Sequence, residues 1–240
     1  MIVTRDDVFT VVCEILTPTG HNNSKVGTGM FVTSTNGKGE SRGWIVTASH
    51  VAKETSDNTI IVIQAKDGKA QELPLPLFGP VSTWRHHEVA DISAFPVLFS
   101  PINRQFTHER FYPIDHVMLE KRTVSRDFEL TCVGFPHGLG TSGMFSPFTF
   151  RSYASSSYVT LNRADTRTEC DFFCLENPSV GGYSGCPVFD LGYSFDGLVR
   201  KTKEQTWCIG FMHGTMSDNT GGKIAMVTPA YYLADLVRFD

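Results

Sequence analysis

Residues Gly181-Gly182-Tyr183-Ser184-Gly185-Cys186-Pro187-Val188-Phe189 set one serine among glycines and lead straight into an apolar run. Glycine is favoured where backbone turns sharply or comes close to another group. A serine held in such a turn presents its hydroxyl outward, and the amides beside it converge on one point. That is the geometry of an oxyanion hole, in which N–H donors face a developing negative charge. In a chain with 21 glycines the same pattern also serves as a plain turn. The two readings separate on whether a base and an orienting carboxylate exist elsewhere, because a serine nucleophile needs both.

Both residue types occur upstream. Trp44-Ile45-Val46-Thr47-Ala48-Ser49-His50-Val51 reads as a buried strand ending in a histidine. In Glu88-Val89-Ala90-Asp91-Ile92-Ser93-Ala94-Phe95 an aspartate opens an apolar strand. Taken singly, His50 is a core or loop histidine and Asp91 a strand-start residue. Jointly with Ser184 they supply the three groups of an acyl-transfer site.

The rest of the chain bounds that reading. Its 240 residues suffice for one large β domain or two small ones. At 41% hydrophobic and 19% charged, the composition is globular rather than disordered. Net charge is −4, and no Lys/Arg run stands out, which argues against nucleic acid as the main partner. No apolar run approaches the roughly 18 residues of a membrane span. The start, Met1-Ile2-Val3-Thr4-Arg5-Asp6-Asp7, lacks the basic-then-apolar layout of a secretory signal. A cytoplasmic, membrane-free protein is the expectation. Six scattered cysteines, Cys13, Cys132, Cys170, Cys174, Cys186 and Cys208, read as buried free thiols in such a setting. A zinc site from Cys132, Cys170, Cys174 and a histidine matches no common ligand spacing. His86, His87 and Glu88 read as a solvated loop more readily than as a metal site. No cofactor and no metal are expected.

Most segments read as short strands between turns: Val8–Leu16, Gly27–Thr33, Trp44–Thr47, Thr59–Gln64, Asp91–Val97, Asp127–Gly134, Cys170–Leu175, Cys186–Asp190, Trp207–Phe211 and Ile224–Val227, with long β-prone runs in Phe148–Leu161. Pro18–Ser24 reads as a loop and Ser34–Gly43 as a hairpin. Phe99–Val117 carries Pro101 and Pro113 and reads as the connection between two halves. Ala230–Phe239 has apolar residues at helical spacing and reads as a short amphipathic helix. Many short strands and almost no helix point to barrels or sandwiches.

Val46-Thr47-Ala48-Ser49-His50, then Ala90-Asp91-Ile92, then Gly182-Tyr183-Ser184-Gly185-Cys186-Pro187 resembles the chymotrypsin-like (trypsin-fold) serine proteases. The order His…Asp…Ser and the separations, 41 and then 93 residues, are similar to theirs. Gly27-Thr28-Gly29, Ile209-Gly210-Phe211 and Val133-Gly134-Phe135-Pro136 add to the likeness, the last in the style of HtrA-type and related bacterial members. The resemblance implies an all-β fold of two six-stranded antiparallel barrels with a short C-terminal helix. Residues 1–105 would carry His50 and Asp91, and residues 106–240 would carry Ser184. It implies Ser184 as nucleophile, His50 as general base, Asp91 as its orienting group, and the amides of Gly182 and Ser184 as the oxyanion hole. The segment His213-Gly214-Thr215 would bind substrate; His213 either lines the specificity pocket or touches nothing there, at a place where a serine or threonine usually supports the aspartate.

Three departures qualify the likeness. No cysteine neighbours His50. Tyr183 precedes Ser184 where secreted members carry an aspartate that pairs with a cut N-terminus, so activity is expected without such cleavage. No acid occupies Asn177-Pro178-Ser179, the expected pocket floor, and Ala225-Met226-Val227 would form its walls, so cleavage after Arg or Lys is not expected. The implied function is a serine endopeptidase acting on protein or peptide substrates. The alternative is a catalytically silent or latent trypsin-fold module that binds peptides or partners, its activity controlled by a partner or an additional domain. An esterase of the α/β-hydrolase type is disfavoured, because that fold runs Ser…Asp…His.

Overall fold

The computed structural model describes residues 7–20, 23–100, 110–163, 165–196, 199–202 and 205–237. The strands of the first half are β1 (Val12–Gly20), β2 (Asn23–Thr35), β3 (Ser41–Thr47), β4 (Ile60–Gln64), β5 (Ala70–Pro74), β6 (Arg85–His86), β7 (Ser93–Val97) and β8 (Tyr112–Pro113). A single helical turn, α1 (Ser49–Ala52), follows β3. The second half holds β9 (Leu130–Gly134), β10 (Phe148–Ser152), β11 (Val159–Asn162), β12 (Glu169–Leu175), β13 (Pro187–Asp190), β14 (Tyr193–Asp196), β15 (Val199–Thr202), β16 (Trp207–Ser217) and β17 (Lys223–Pro229).

The first eight strands form one sheet in the order β5-β4-β1-β2-β3-β7-β6, with β8 parallel on β2. Seven of the others form a second, antiparallel sheet in the order β10-β9-β13-β16-β17-β12-β11, and β14 pairs β15 in a separate hairpin. The all-β, two-sheet architecture expected from the sequence is therefore present. The sheets hold eight and seven strands rather than six, partly because the two-residue pairings of β6 and β8 extend the first, and neither hydrogen-bonded path closes among the described residues.

The period-2 alternation of strands explains how the halves join. In β2 and β3, Phe31 and Ile45 face the first sheet's own core, with Cys13, Ile61, Ile63 and Phe95. Their neighbours Met30, Val32, Trp44 and Val46 face the opposite way. In the second sheet Cys132, Phe173, Val188 and Val227 line that sheet's own core, while Val133, Phe172, Phe189 and Met226 face outward. The two outward sets form one continuous apolar seam. Both faces of the central strands are thus buried, which is why they read as unbroken apolar runs. Truncating a seam aromatic such as Phe189 or Phe211 to alanine should cost about 3–5 kcal/mol.

Several local expectations are corrected. The strand expected from Val8 starts at Val12, after a short 3₁₀ turn over Asp7–Phe9. The described residues of the expected loop Pro18–Ser24 are strand: β1 continues to Gly20, β2 begins at Asn23, and Pro18 pairs with Ser24. That end of the hairpin is exposed and held by backbone pairing, so it carries no apolar alternation. The C-terminal segment forms a 3₁₀ helix over Ala230–Asp235, shorter than the helix expected to Phe239. Ala230, Leu233 and Leu236, three residues apart, all enter the seam, a spacing that fits three residues per turn better than 3.6. The expected boundary at residues 105 and 106 lies outside the described residues. Beyond it, Tyr112 runs beside β2 and donates its hydroxyl to the Thr206 carbonyl at 2.8 Å. No described helix is long and apolar enough to cross a membrane.

Candidate active site

β3 delivers His50. The chain leaves the strand at Thr47 and turns at once into α1, whose Ser49 hydroxyl lies 2.8 Å from both the Ile92 carbonyl and the Ser93 hydroxyl. These bonds staple α1 to the segment carrying Asp91. The His50 backbone N–H then donates to Asp91 Oδ1 at 3.0 Å, and its ring Nδ1 lies 2.7 Å from Asp91 Oδ2. A carboxylate only accepts, so Nδ1 carries the proton and Nε2 keeps a free lone pair.

Asp91 is wholly buried and is shared. His213 Nδ1, from β16, reaches the same Oδ2 at 2.5 Å. Arg163 Nη2, from just after β11, donates to Oδ1 at 3.1 Å. The His213 ring meets His50 edge-on at 5.7 Å and packs on Phe172 at 5.1 Å. Burial alone would push the Asp91 carboxyl up, but the bonds from His213 and His50 outweigh it and hold it well below the usual carboxylate range. For His50, burial favours the neutral ring, yet the hydrogen bond and charge of Asp91 prevail and raise its pKa above the ordinary imidazole value.

The serine turn is built from backbone. Gly182 and Gly185 have φ of +97° and +81°. A Cβ on Gly182 would stand 2.2 Å from the Phe135 carbonyl oxygen, and one on Gly185 2.1 Å from the Thr47 hydroxyl. No other residue fits either position. Thr28 of β2 ties the turn to the first sheet: its N–H donates to the Ser184 carbonyl at 2.8 Å. Its hydroxyl donates to the Gly182 carbonyl at 2.8 Å and accepts the Phe135 N–H at 3.1 Å. The His137 N–H holds the Gly181 carbonyl at 2.8 Å. Because a trans peptide sets N–H opposite C=O, the Gly182 N–H points away from His137. The amides of Tyr183, Gly185 and Cys186 are used within the fold. Those of Gly182 and Ser184 donate to no acceptor among the described residues.

His50 and Ser184 line one cavity of about 330 Å³ with Gly181 and Gly182. His50 also lines a second, of about 420 Å³, with His213, Gly214, Thr215, Met216 and Asp165. Among the described residues no hydrogen bond joins Ser184 to His50. Such bonds commonly tighten only when substrate is bound.

The family model for the trypsin-like peptidase domain matches residues 27–195, a span containing His50, Asp91 and Ser184. The chain belongs to that family. Among solved structures, this trypsin-like peptidase domain is similar to the Rv3671c protease from M. tuberculosis in its active form. The likeness covers 97% of this chain and 81% of that one, at 15% identity and a TM-score of 0.58. At that identity the likeness speaks for the fold. No curated protein matches the chain by sequence.

Several of the domain's departures now have a physical account. Tyr183 is buried in the second sheet's core and meets Phe150 edge-on at 5.1 Å, so an apolar anchor steadies the turn. His213, whose place in the sequence left two readings open, both bonds Asp91 and borders the groove beside His50. Gly214 and Thr215 line the same groove, and the Thr215 hydroxyl donates to the Ser179 carbonyl at 2.8 Å. The Asn177 side chain turns to the Arg151 carbonyl, and Ala225, Met226 and Val227 are buried. His86 bonds Ser93, and His87 Nδ1 accepts the amides of Val89 and Ala90. The six cysteines are buried and unpaired. His50, Asp91 and His213 bring three ligand-type atoms within 4.8 Å of one another. The Arg163 guanidinium on the same carboxylate opposes a divalent cation there. Sequence reasoning missed Arg163 altogether, and it took Thr28 only as part of a strand.

Proposed function

We propose that this trypsin-like peptidase domain is a serine endopeptidase that cleaves proteins or peptides through an acyl-enzyme. The observation that carries the reading is the shared cavity of His50 and Ser184, with His50 oriented by Asp91 on its far side. His50 Nε2 takes the Ser184 proton as Oγ attacks the scissile carbonyl. The amides of Gly182 and Ser184 receive the oxyanion. The imidazolium that forms faces the buried Asp91 carboxylate, then protonates the leaving amine, and water repeats the cycle in reverse. The leaving portion and the acyl portion of the substrate occupy the two cavities that flank His50. The buried, unpaired cysteines support a reducing setting such as the cytoplasm.

The test is digestion of an unfolded protein, with the product termini mapped by mass spectrometry. Cleavage at a reproducible residue type by the parent, and none by Ser184→Ala, is the expected outcome. Tight binding of the peptide by both proteins without any new termini would replace the protease with a binding module.

A further inference from the structure

Arg163 is a charged side chain only 2% exposed, in the turn between β11 and β12 of the second sheet. Burying a guanidinium is costly unless its donors are met. Here four bonds meet them. Nη1 donates to the Val89 carbonyl at 3.1 Å, and Nη2 to Asp91 Oδ1 at 3.1 Å. Nε and Nη2 also grip both oxygens of Asp165, at 2.9 and 2.6 Å. The turn is closed beneath it by Arg163 N–H to the Thr168 carbonyl and Arg167 N–H to the Arg163 carbonyl. Asp165 in turn borders the groove beside His50.

Resting on the protease reading above, we propose that Arg163 is a positioning residue for the reaction. From the second sheet it fixes Asp91 of the first, so that Oδ1 is occupied and Oδ2 is left for the histidines. Its planar fork spans Val89, Asp91 and Asp165 at once, which a lysine cannot do. Its charge also sets the balance around His50. Asp91 and Asp165 contribute two negative charges and Arg163 one positive. With His50 neutral these three groups sum to −1, and an imidazolium at His50 brings the sum to zero. Without Arg163, the two carboxylates would hold a proton on His50 at rest and remove it as a base.

The groups facing His50 are Asp91 before β7, His213 from β16, and Arg163 with Asp165 from the β11–β12 turn. Lys25 and Glu54, ion-paired at 2.6 Å, line the cavity on its other side, and Arg167 lines the groove with Asp165. Of these, Arg163 opposes protonation of His50, and Asp91 and Asp165 favour it. Removing Arg163 and removing the Asp165 charge should therefore move His50 in opposite directions.

The experiment uses the full chain as Arg163→Met, Arg163→Lys and Asp165→Asn, with folding checked by circular dichroism. It measures peptide hydrolysis against pH and the His50 titration by NMR. For Arg163→Met, kcat should fall about 100-fold with KM little changed, the behaviour of a group that acts in the transition state. Its His50 midpoint and the acid limb of kcat/KM should rise together by about one pH unit. Arg163→Lys should keep the midpoint but lose about tenfold in kcat. Asp165→Asn should lower the midpoint. Unmoved midpoints and parental kcat in folded Arg163→Met overturn the proposal; if that variant does not fold, an unmoved Asp165→Asn midpoint overturns it. A folded parent that cleaves nothing, yet shows the opposed shifts, overturns the protease reading and leaves the Arg163–Asp91–His50 coupling standing.

Discussion

The two ends of the site are held by different physics. At the His50 end, one buried carboxylate collects four N–H donors, from the His50 main chain, His50, His213 and Arg163. At the Ser184 end, position comes from neutral backbone: two left-handed glycines packed against a carbonyl and a hydroxyl, and one threonine bridging three segments. The first end is electrostatic and responds to pH. The second is steric and responds to a methyl group. Both cross the seam between the sheets, since Arg163 and His213 reach Asp91 from the second sheet and Thr28 reaches Ser184 from the first.

Mutations should separate the two ends. On the proposed reading, Ser184→Ala should leave the melting temperature unchanged and remove about 10⁴-fold or more of kcat, since the members of such a triad act as a unit. Asp91→Asn should cost a comparable factor at neutral pH by freeing the wrong His50 tautomer, with a loss that changes with pH. Gly182→Ala, whose Cβ would meet the Phe135 carbonyl, should lower the denaturation midpoint and, in the molecules that fold, lower kcat by about 10²–10³-fold, the scale of one misplaced oxyanion donor, by the same factor at every pH. A Gly182→Ala loss that varied with pH would erase the contrast between the ends. Thr28→Val keeps the shape but leaves the Gly182 carbonyl and the Phe135 amide unpartnered. It should destabilise the fold by about 1–3 kcal/mol for each group, read as a drop in denaturation midpoint.

The smallest effects are those of pH on the parent. The His50 pKa is raised, so the neutral form that the proposed reaction needs appears later, and the acid limb of kcat/KM should lie above the ordinary histidine value of about 6.5. The stability its protonation adds is present below that ordinary value and is lost as pH rises through the raised one. Asp91 is depressed. Its stabilisation is present above about pH 3.9 and is lost as pH falls through its folded value. Acid melts of the parent and of Asp91→Asn should accordingly converge at low pH.

How far the sequence could be read follows the same division. The central strands were visible, because Trp44-Ile45-Val46 and Phe172-Phe173 each feed both sides of a strand and leave long apolar runs; the seam that joins the two sheets was not, since it depends on how the outward faces meet. Ser184, His50 and Asp91 stood out as candidates because each sits beside such a run, in an order that few folds share. Arg163 was hidden: it follows the β-prone run of residues 148–161 with no motif to mark it, and its burial depends on a carboxylate 72 residues away. His213 left two readings open for the same reason, since its partner is 122 residues distant. The exposed end of the β1–β2 hairpin was read as loop because backbone pairing without burial leaves no apolar pattern.

The central claim is that Ser184 is a nucleophile activated by His50. The most direct measurement is treatment of the folded protein with a fluorophosphonate, with the adduct mapped by mass spectrometry beside Ser184→Ala and His50→Ala. The expected result is one phosphonyl group on Ser184, absent from Ser184→Ala and strongly slowed in His50→Ala. A folded parent that takes up no label, or takes it up on another residue, would contradict the account.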